Sequence, residues 1–317
     1  MTNLLNDRPL AILGYGSQGR AQALNLRDSG ITPTIGLPAG SPSRKIAKRD
    51  GFSAILPLDA IRKAQIIAVL IPDQLHKKFF DSVPAELLAR KSFIFAHGLS
   101  VAFGLARIPR SSDVILVAPH GPGVRIRELY LSKKPFTAFW GVANDATSKA
   151  SKIARAYADA IGCAPRGLFR TTFLDEAVGD IFGEQAVLCG GLVGLLESGF
   201  ETLVSRGFSA KDAYLECIYQ IDLIVDLIKK HGPAGMFERI SKTAAFGSMR
   251  SKGRLFDESM RRKMNALLKE IESGSFARAL MAESKSGMKG LTAEISKSRH
   301  SQLQKVHYRL RKMLGGF

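Results

Sequence analysis

The segment 180–191 (DIFGEQAVLCGG) contains two carboxylates whose spacing could bind a metal ion. In a helix Asp180 and Glu184, four residues apart, would share one face. Two carboxylates at the start of an apolar segment are costly to bury without a counter-charge, which Mg²⁺ would supply. The alternative is an exposed helix start whose acids are favoured by the helix dipole. Further along, Glu216 and Gln220 repeat the same four-residue spacing.

A glycine-rich turn near the start of the chain could bind a dinucleotide. Gly14, Gly16 and Gly19 form a G-x-G-x-x-G pattern between an apolar strand and a helix. In dinucleotide-binding folds the first glycine permits the turn, the second lets backbone approach the pyrophosphate, and the third lets helix pack on strand. The flanking strand and helix favour this interpretation over a chance glycine-rich turn. The predicted cofactor residues of this turn are Gly14, Tyr15, Gly16, Ser17, Gln18 and Gly19.

The loop after the second predicted strand, 32–37, indicates which dinucleotide binds. An acid near the end of this strand usually binds the ribose hydroxyls of NAD, and this sequence has none there. Ser41 and Ser43 offer hydroxyls instead. Arg44 and Lys45 add positive charge, which suits a 2′-phosphate. The loop therefore predicts NADPH rather than NADH, the alternative being an ordinary polar loop with a helix cap.

These motifs lie in a first half where strands alternate with helices, an α/β pattern. We predict strands at 9–13, 32–37, 66–71, 92–96, 114–118, 137–142 and 166–172. Helices are expected at 20–29, 74–89 and 146–161. Such alternation is typical of a Rossmann-type, doubly wound parallel sheet.

Ligands of a doubly wound sheet bind beyond the carboxyl ends of its strands. Besides the glycine-rich turn, Pro72 and Asp73 fall at this edge, as do His97 and the run from His120 to Gly123. We therefore predict cofactor contacts for Pro72, Asp73, His97 and Gly123. His97 and His120 are also candidates for catalysis, because a histidine at this edge is better placed for chemistry than one on a core face.

The second half reads as helical from residue 174 onward. Apolar residues recur at three and four positions through 181–204, 213–228 and 260–271, with a shorter helix at 240–247. Gly232 and Pro233 are expected to break the second of these helices. The sequence thus predicts a cofactor-binding domain over 1–172 and an all-helical domain over 173–317. The final basic segment is the least ordered-looking part.

Composition limits the possible classes of protein. The net charge of +18 is concentrated late, with eight Lys or Arg against one Glu over 285–317. No nucleic-acid-binding motif accompanies it, so a solvated basic face is favoured over a nucleic-acid site. Three widely spaced cysteines argue against a disulfide framework or a zinc site and are consistent with a cytoplasmic protein. The longest uninterrupted apolar runs are strand-length, so we expect no membrane span.

Several stretches together resemble one family, the class I (short-form) ketol-acid reductoisomerases. The closest are 11–30 (AILGYGSQGRAQALNLRDSG), 95–98 (FAHG), 117–123 (VAPHGPG) and 180–191 (DIFGEQAVLCGG). The resemblance implies a knotted, dimerising helical domain and a two-step reaction. An alkyl shift rearranges 2-acetolactate or 2-aceto-2-hydroxybutyrate, and a nicotinamide hydride then reduces the new ketone. Two Mg²⁺ ions would polarise the substrate oxygens.

The same resemblance implies roles for individual residues. Asp180 and Glu184 match the first pair of metal ligands, with Asp180 bridging both ions. Glu216 matches a ligand that the family takes from the partner subunit. Ser241 matches the serine that contacts the substrate carboxylate, and His97 matches the histidine of FAHG near the reacting centre. A homodimer or larger homo-oligomer is therefore expected.

The sequence also departs from the family. Gln220 stands where the family has Glu, and an amide supplies neither negative charge nor a base. His120 replaces a Lys and Val124 a His in the run after 117–119. Pro38 stands where many members carry Arg, and Ala245 changes the usual TAEYG to TAAFG. Gln220 and His120 would lie among the catalytic groups, so one or two Mg²⁺ ions are possible.

Three functional hypotheses follow from these matches and departures. The first is an NADPH- and Mg²⁺-dependent ketol-acid reductoisomerase acting on a 2-hydroxy-3-keto acid. The second keeps only the reductase half and acts on a 2-keto acid or a related carbonyl or imine. The third is a non-catalytic cofactor- or partner-binding descendant that uses its basic tail for interaction.

Overall fold

The computed structural model of the protein describes residues 3–316 and divides into two compact units. The first unit is Met1–Gly179 and the second is Asp180–Phe317. The boundary between them along the chain falls within helix α10 (Phe173–Gly183). The domain boundary that we placed between 172 and 173 stays a prediction.

The first unit is built on an eight-stranded sheet. Its strands are β1 (Leu10–Leu13), β2 (Thr34–Gly36), β3 (Ala54–Ile55), β4 (Ile66–Val69), β5 (Ser92–Phe95), β6 (Asp113–Pro119), β7 (Phe136–Asn144) and β8 (Cys163–Arg170). They are ordered β3-β2-β1-β4-β5-β6-β7-β8. With the helical second unit, this arrangement confirms the predicted α/β fold class.

The expectation of a wholly parallel sheet is wrong at one pair, because β7 runs antiparallel to β6. Pro119 at the end of β6 pairs with Ala138 near the start of β7, and Val114 pairs with Asn144. The connection between these strands therefore returns to the edge that it left. All other neighbouring strands pair in parallel.

Helices cover both faces of the sheet. In β1 the side chain of Ile12 belongs to one buried apolar cluster, and those of Ala11 and Leu13 belong to another. A strand buried on both faces is apolar at successive positions, which explains why these strands read as continuous apolar runs. The helices of this unit are α1 (Asn3–Asn6), α2 (Ser17–Asp28), α3 (Ser43–Arg49), α4 (Pro57–Lys63), α5 (Asp73–Ser82), α6 (Ala85–Leu88), α7 (Leu99–Ala102), α8 (Gly123–Leu131), α9 (Ala150–Ile161) and α10.

The described part of the second unit is helical throughout. Its helices are α11 (Gly190–Ser205), α12 (Ala210–Tyr214), α13 (Ile221–Arg239), α14 (Lys242–Leu255), α15 (Glu258–Glu272), α16 (Ser275–Lys285), α17 (Lys289–Arg299) and α18 (Gln302–Met313). Two π-helical turns, Glu184–Leu188 and Leu215–Tyr219, interrupt the α-helical pattern. The predicted break is confirmed, because the backbone of α13 leaves the helical region at Gly232.

The basic tail is more ordered than its composition suggested. Helix α18 buries Leu310 in a small cluster with Phe200 and Tyr214, and Leu303 and Val306 pack against the same cluster. These three aliphatic residues recur at positions three and four apart, so they form one apolar stripe. The positive charges lie around that stripe, which explains why the segment looked polar in sequence.

The second unit leaves much apolar surface exposed. One continuous helical stretch, Phe173–Ser205, is by length and composition alone apolar enough to cross a membrane. The expectation that apolar runs stay strand-length missed it, because its apolar residues are interspersed with glycines and a few acids. Exposed side chains on it include Val187, Leu188, Val193 and Leu195.

Candidate functional site

Close backbone packing fixes the glycine-rich turn between β1 and α2. Gly14 has a φ of +99°, and a Cβ there would lie 2.4 Å from the carbonyl oxygen of Leu70. A Cβ at Gly19 would lie 2.5 Å from the carbonyl oxygen of Gly14. At Gly16, by contrast, a Cβ would meet no protein atom within 4 Å. Two glycines are thus required by the fold itself, whereas the third leaves room for a ligand.

A cavity of about 530 Å³ opens at the carboxyl ends of β1, β2, β4 and β5. This is where a doubly wound sheet binds its ligands. Ten of the predicted cofactor residues line the cavity, namely Gly14, Tyr15, Gly16, Ser17, Gln18, Ser41, Ser43, Pro72, Asp73 and His97. The structure therefore brings together residues that are up to 83 positions apart in the sequence, Gly14 and His97.

Gly19 and Gly123 support the turn without lining the cavity. A Cβ at Gly123 would lie 2.1 Å from the carbonyl oxygen of Ser17. Beside it, the side-chain amide of Gln18 donates a hydrogen bond to the carbonyl of Gly121 at 2.8 Å. The loop before α8 thus packs directly against the turn, and contact of Gly123 with a cofactor stays a prediction.

Arg44 lies differently from its sequence-based interpretation as a phosphate ligand. Its Nε donates to the carbonyl of Pro38 at 2.9 Å and its Nη2 to that of Leu37 at 3.0 Å. Its Nη1 donates to the carbonyl of Ala54 in β3 at 2.9 Å. The guanidinium is therefore bound to backbone, and Arg44 is not among the residues that line the cavity.

The cavity residue Tyr15 belongs to a small polar cluster. Its hydroxyl donates to Asp50 at 2.9 Å, and Arg20 binds both oxygens of the same carboxylate at 2.7 and 3.0 Å. Burial and the bond to Asp50 raise the pKa of the Tyr15 phenol. The hydrogen bond from Arg20 lowers the pKa of Asp50. The phenol is therefore held neutral and oriented at neutral pH.

His97 is oriented by a buried acid that the sequence did not single out. Its Nδ1 lies 3.1 Å from a carboxylate oxygen of Glu176, which is only 4% exposed. The backbone N–H of Gly98 donates a short hydrogen bond to the same oxygen. A Cβ at Gly98 would lie 2.2 Å from the carbonyl oxygen of Phe173, so the FAHG glycine is needed for this close approach.

His76 is a second residue that the sequence did not indicate. It lines the cavity, is 2% exposed, and its Nε2 lies 2.9 Å from the carbonyl oxygen of Ile71. Its Nδ1 has no hydrogen-bond partner among the described residues. Burial lowers the pKa of His76, so the ring is neutral at pH 7. A buried acceptor beside a cavity is available to a ligand donor.

His120, predicted to be catalytic, is exposed and does not line the cavity. Its Nδ1 lies 2.9 Å from the hydroxyl of Thr137, and its ring packs edge-on against Phe139 with centroids 4.4 Å apart. These contacts hold the imidazole at the end of β6. A catalytic role for His120 stays a prediction.

The first acidic pair lies at a π-helical turn. Helix α10 carries Asp180, and the turn Glu184–Leu188 begins at Glu184, whose carbonyl accepts a hydrogen bond from the N–H of Cys189 at 3.0 Å. Both acids are exposed. A Cβ at Gly190 or Gly191 would lie 2.4 or 2.1 Å from a carbonyl oxygen of the turn. The two glycines of the motif are therefore what the turn requires, and such turns often mark functional sites.

The second pair is built in the same way. Glu216 lies within the π-helical turn Leu215–Tyr219, and Gln220 ends it. The amide of Gln220 is exposed and donates a long hydrogen bond, 3.4 Å, to the carbonyl of Leu215. Ser241 caps α14, because its hydroxyl oxygen accepts from the N–H of Ala244 at 3.1 Å. Metal and substrate binding by these residues stay predictions.

Comparison with known families matches both halves of the chain. The family model "Acetohydroxy acid isomeroreductase, NADPH-binding domain" matches residues 4–167, and "Ketol-acid reductoisomerase, C-terminal domain" matches residues 173–315. The chain belongs to the ketol-acid reductoisomerase family. It is therefore an oxidoreductase of branched-chain amino acid biosynthesis that uses a nicotinamide cofactor and a small-molecule substrate.

Solved structures agree with this membership. An NADH-preferring ketol-acid reductoisomerase from an uncultured archean is 36% identical, with a TM-score of 0.94 over 98% of this chain and 96% of that one. More distant matches show the fold alone. A semialdehyde dehydrogenase NAD-binding protein from Cupriavidus necator (TM-score 0.65) and a pyrroline-5-carboxylate reductase from Coxiella burnetii (0.58) are each 14% identical. Each alignment covers 84% of this chain. It covers 99% of the Cupriavidus necator protein and 98% of the Coxiella burnetii protein.

Three residues at the site of this ketol-acid reductoisomerase were missed in the sequence. Glu176 had a usable signal, because it precedes Asp180 by the same four residues that separate Asp180 from Glu184. Asp50 had none, because its partners Tyr15 and Arg20 lie 35 and 30 positions away. His76 had a weak one, because it closely follows Pro72 and Asp73, which we had placed at the ligand-binding edge of the sheet.

Proposed function

We propose that this chain converts 2-acetolactate and 2-aceto-2-hydroxybutyrate to 2,3-dihydroxy-3-methyl acids with NADPH and Mg²⁺. The observation that carries the proposal is the cavity at the carboxyl ends of the strands, lined by the glycine-rich turn and by His97. In the overall reaction an alkyl group migrates within the substrate, and NADPH and a proton then reduce the new ketone to an alcohol.

The cavity fits a dinucleotide. The open space at Gly16 suits a pyrophosphate, since backbone can approach it closely there. NADPH is favoured because the end of β2 offers Leu37 and Pro38 rather than an acid, and because Ser41 and Ser43 line the cavity. The preference of the archean relative for NADH makes cofactor choice the first point to measure.

The acidic pairs suit a hard cation. Asp180, Glu184 and Glu216 offer carboxylate oxygens, the ligands that Mg²⁺ prefers. When bound, Mg²⁺ would act as a Lewis acid on the ketone and hydroxyl oxygens of the substrate. Gln220 supplies a neutral oxygen where the family has a carboxylate, so we propose one firmly held ion and a weaker second site.

The remaining groups orient the reactants. Glu176 holds the His97 imidazole, and its carboxylate also accepts a hydrogen bond from the Gly98 N–H. The position of Ser241 at the start of α14 suits capture of a substrate carboxylate, since N–H groups and the positive end of the helix dipole lie there.

We further propose that the active form is a cytoplasmic homodimer or a larger homo-oligomer. The support is the apolar surface of the helical unit, where Leu188, Val193 and Phe246, among others, are at least half exposed. A second copy would bury such surface, whereas single exposed apolar residues would need no explanation. Light scattering at micromolar concentration checks this, and an active monomer would contradict it.

A second candidate function is reduction without isomerisation. The observation that favours it is Gln220, because the alkyl shift depends on the two-ion cluster more than hydride transfer does. In this case the chain would reduce 3-hydroxy-3-methyl-2-oxobutanoate but would not consume 2-acetolactate.

One experiment separates the candidates. NADPH oxidation is followed with 2-acetolactate and, in parallel, with 3-hydroxy-3-methyl-2-oxobutanoate, each over a range of Mg²⁺ concentrations and repeated with NADH. Turnover of both substrates supports the isomeroreductase, and turnover of the keto acid alone supports the reductase. If neither substrate supports NADPH oxidation at any Mg²⁺ concentration, both candidate functions are excluded.

A further inference from the structure

The loop that joins β2 to α3, taken together with the first turn of α3 (residues 37–45), forms one wall of the cofactor cavity. Leu37, Pro38, Ser41 and Ser43 line the cavity from this loop. Its local backbone bonds run from the N–H groups of Ser41, Arg44 and Lys45 to carbonyls three residues earlier, at 3.1–3.2 Å, and the carbonyls of Leu37 and Pro38 accept from the Arg44 side chain. A loop of this length needs further contacts to hold one conformation.

Arg44 supplies those contacts. Its Nε and Nη2 donate to two successive carbonyls, those of Pro38 and Leu37, at 2.9 and 3.0 Å. Its Nη1 reaches the neighbouring strand β3 and donates to Ala54 at 2.9 Å. One side chain thus ties the beginning of the loop to the edge of the sheet.

Only arginine can make this set of bonds. The guanidinium is planar and presents its N–H groups in a fixed fork, which matches two adjacent acceptors while a third N–H points elsewhere. A lysine ammonium is a point charge on a flexible stem and would reach one carbonyl at a time. Three of the five guanidinium N–H donors are already committed to backbone.

We propose that Arg44 is a positioning residue that holds the 37–45 loop in its cofactor-binding conformation, and that it is not a ligand of the 2′-phosphate. The inference rests on the nicotinamide site proposed above. It reverses the usual interpretation of a cation at this point of the chain. Selectivity between NADPH and NADH then depends on Ser41 and Ser43, which line the cavity, and not on Arg44.

The test is direct titration of NADPH and of NADH with purified Arg44→Met, followed by cofactor fluorescence. Loss of a positioning residue affects both cofactors alike. Both dissociation constants should therefore rise by about tenfold, as expected for loss of a charged hydrogen bond. The ratio of the two dissociation constants should stay unchanged. Arg44→Lys does not restore binding. Amide hydrogen exchange of the loop becomes faster in both variants without cofactor. Because binding needs no turnover, a failed acetolactate assay leaves this result interpretable.

Lys45→Met is the matched control, because it removes the same charge from the next residue. It should leave NADH binding and the hydrogen exchange of the loop unchanged. The proposal is overturned if Arg44→Met weakens NADPH while sparing NADH, if Arg44→Lys restores NADPH binding, or if neither cofactor is affected. If Arg44→Met does not fold, Arg44→Gln, which keeps two N–H donors, gives the same comparison of cofactors.

Discussion

The two units of the molecule differ in how completely each buries its own apolar residues. The sheet unit has two large buried clusters, one on each face of the sheet. In the helical unit a smaller cluster around Phe200 and Tyr214 is buried, while most of the large exposed apolar side chains of the described chain lie in this unit. The first unit therefore buries most of its large apolar side chains, whereas the second leaves many of them exposed.

The same difference appears in the functional residues. Tyr15, His97 and Arg44 are each fixed by hydrogen bonds to residues of the sheet unit. Glu216 and Gln220 are exposed, and among the described residues the Gln220 side chain makes one long hydrogen bond, to a backbone carbonyl. Preorganised groups bind their ligand at little entropic cost, whereas exposed ones need a partner surface or an ion to order them. Cofactor binding and metal-dependent chemistry should therefore be separable by mutation.

The largest expected effect is on turnover alone. Asp180→Asn should lower kcat/KM for 2-acetolactate by about a hundredfold or more at saturating Mg²⁺, because metal polarisation supplies several kcal/mol. The dissociation constant for NADPH should not change. Steady-state kinetics and fluorescence titration measure the two. Glu270→Gln, an exposed acid on α15, is the control. An equal loss of NADPH affinity in Asp180→Asn would contradict the expectation that cofactor binding and metal-dependent chemistry are separable by mutation.

The glycine-rich turn offers a contrast between folding and binding. Gly14→Ala should lower the free energy of unfolding by about 1–3 kcal/mol without ligand, because its Cβ meets the Leu70 carbonyl. The methyl group added by Gly16→Ala meets no protein atom within 4 Å. The free energy of unfolding without ligand should therefore stay unchanged within about 0.5 kcal/mol. Gly16→Ala should nevertheless weaken NADPH about tenfold or more, since its methyl group occupies the pyrophosphate space. Thermal unfolding with and without NADPH distinguishes the two, and equal behaviour would disprove the assignment.

The departure at Gln220 can be reversed. Gln220→Glu should lower the Mg²⁺ concentration for half-maximal turnover of 2-acetolactate by about tenfold, as expected when a metal site gains a charged partner. Because the residue is exposed, stability and NADPH affinity should not change. A Mg²⁺ titration of the initial rate provides the measurement. An unaltered Mg²⁺ dependence would place Gln220 outside the metal site.

The smallest expected effect concerns Asp50. Its pKa is lowered by the hydrogen bond from Arg20, so its ionised form is favoured in the folded state. That contribution is present above the unfolded pKa of about 3.9 and is lost as the pH falls through the lower folded value. Asp50→Asn should therefore cost about 1 kcal/mol at pH 7, and this cost should shrink as the pH falls below about 3.9. Urea unfolding over this pH range tests this, with Asp7→Asn, which changes an exposed carboxylate, as the control.

The sequence predicted the features that depend on the spacing of residues close together in the chain. The strand before Gly14 and the helix after Gly19 identified the cofactor turn, because the spacing of the glycines follows from backbone geometry. The sequence did not predict that β7 runs antiparallel, since this depends on which edge of the sheet a connection reaches. It suggested Arg44 as a cofactor ligand, which stays a prediction. The bonds of Arg44 to backbone carbonyls could not be predicted, because they depend on where the neighbouring strand lies after folding. Glu176 could have been predicted from its four-residue spacing to Asp180, but we did not identify it.

The π-helical turn Glu184–Leu188 determines where this segment can change in length. Relative to an unbroken α-helix it accommodates one additional residue, so deletion of Val187 would let α10 and α11 join as one regular helix. The face of α11 would keep its direction, because the wide turn absorbs the extra residue and the helix after it does not. A deletion within α11 would instead turn every later side chain by about 100° around the helix axis, because an α-helix has 3.6 residues per turn.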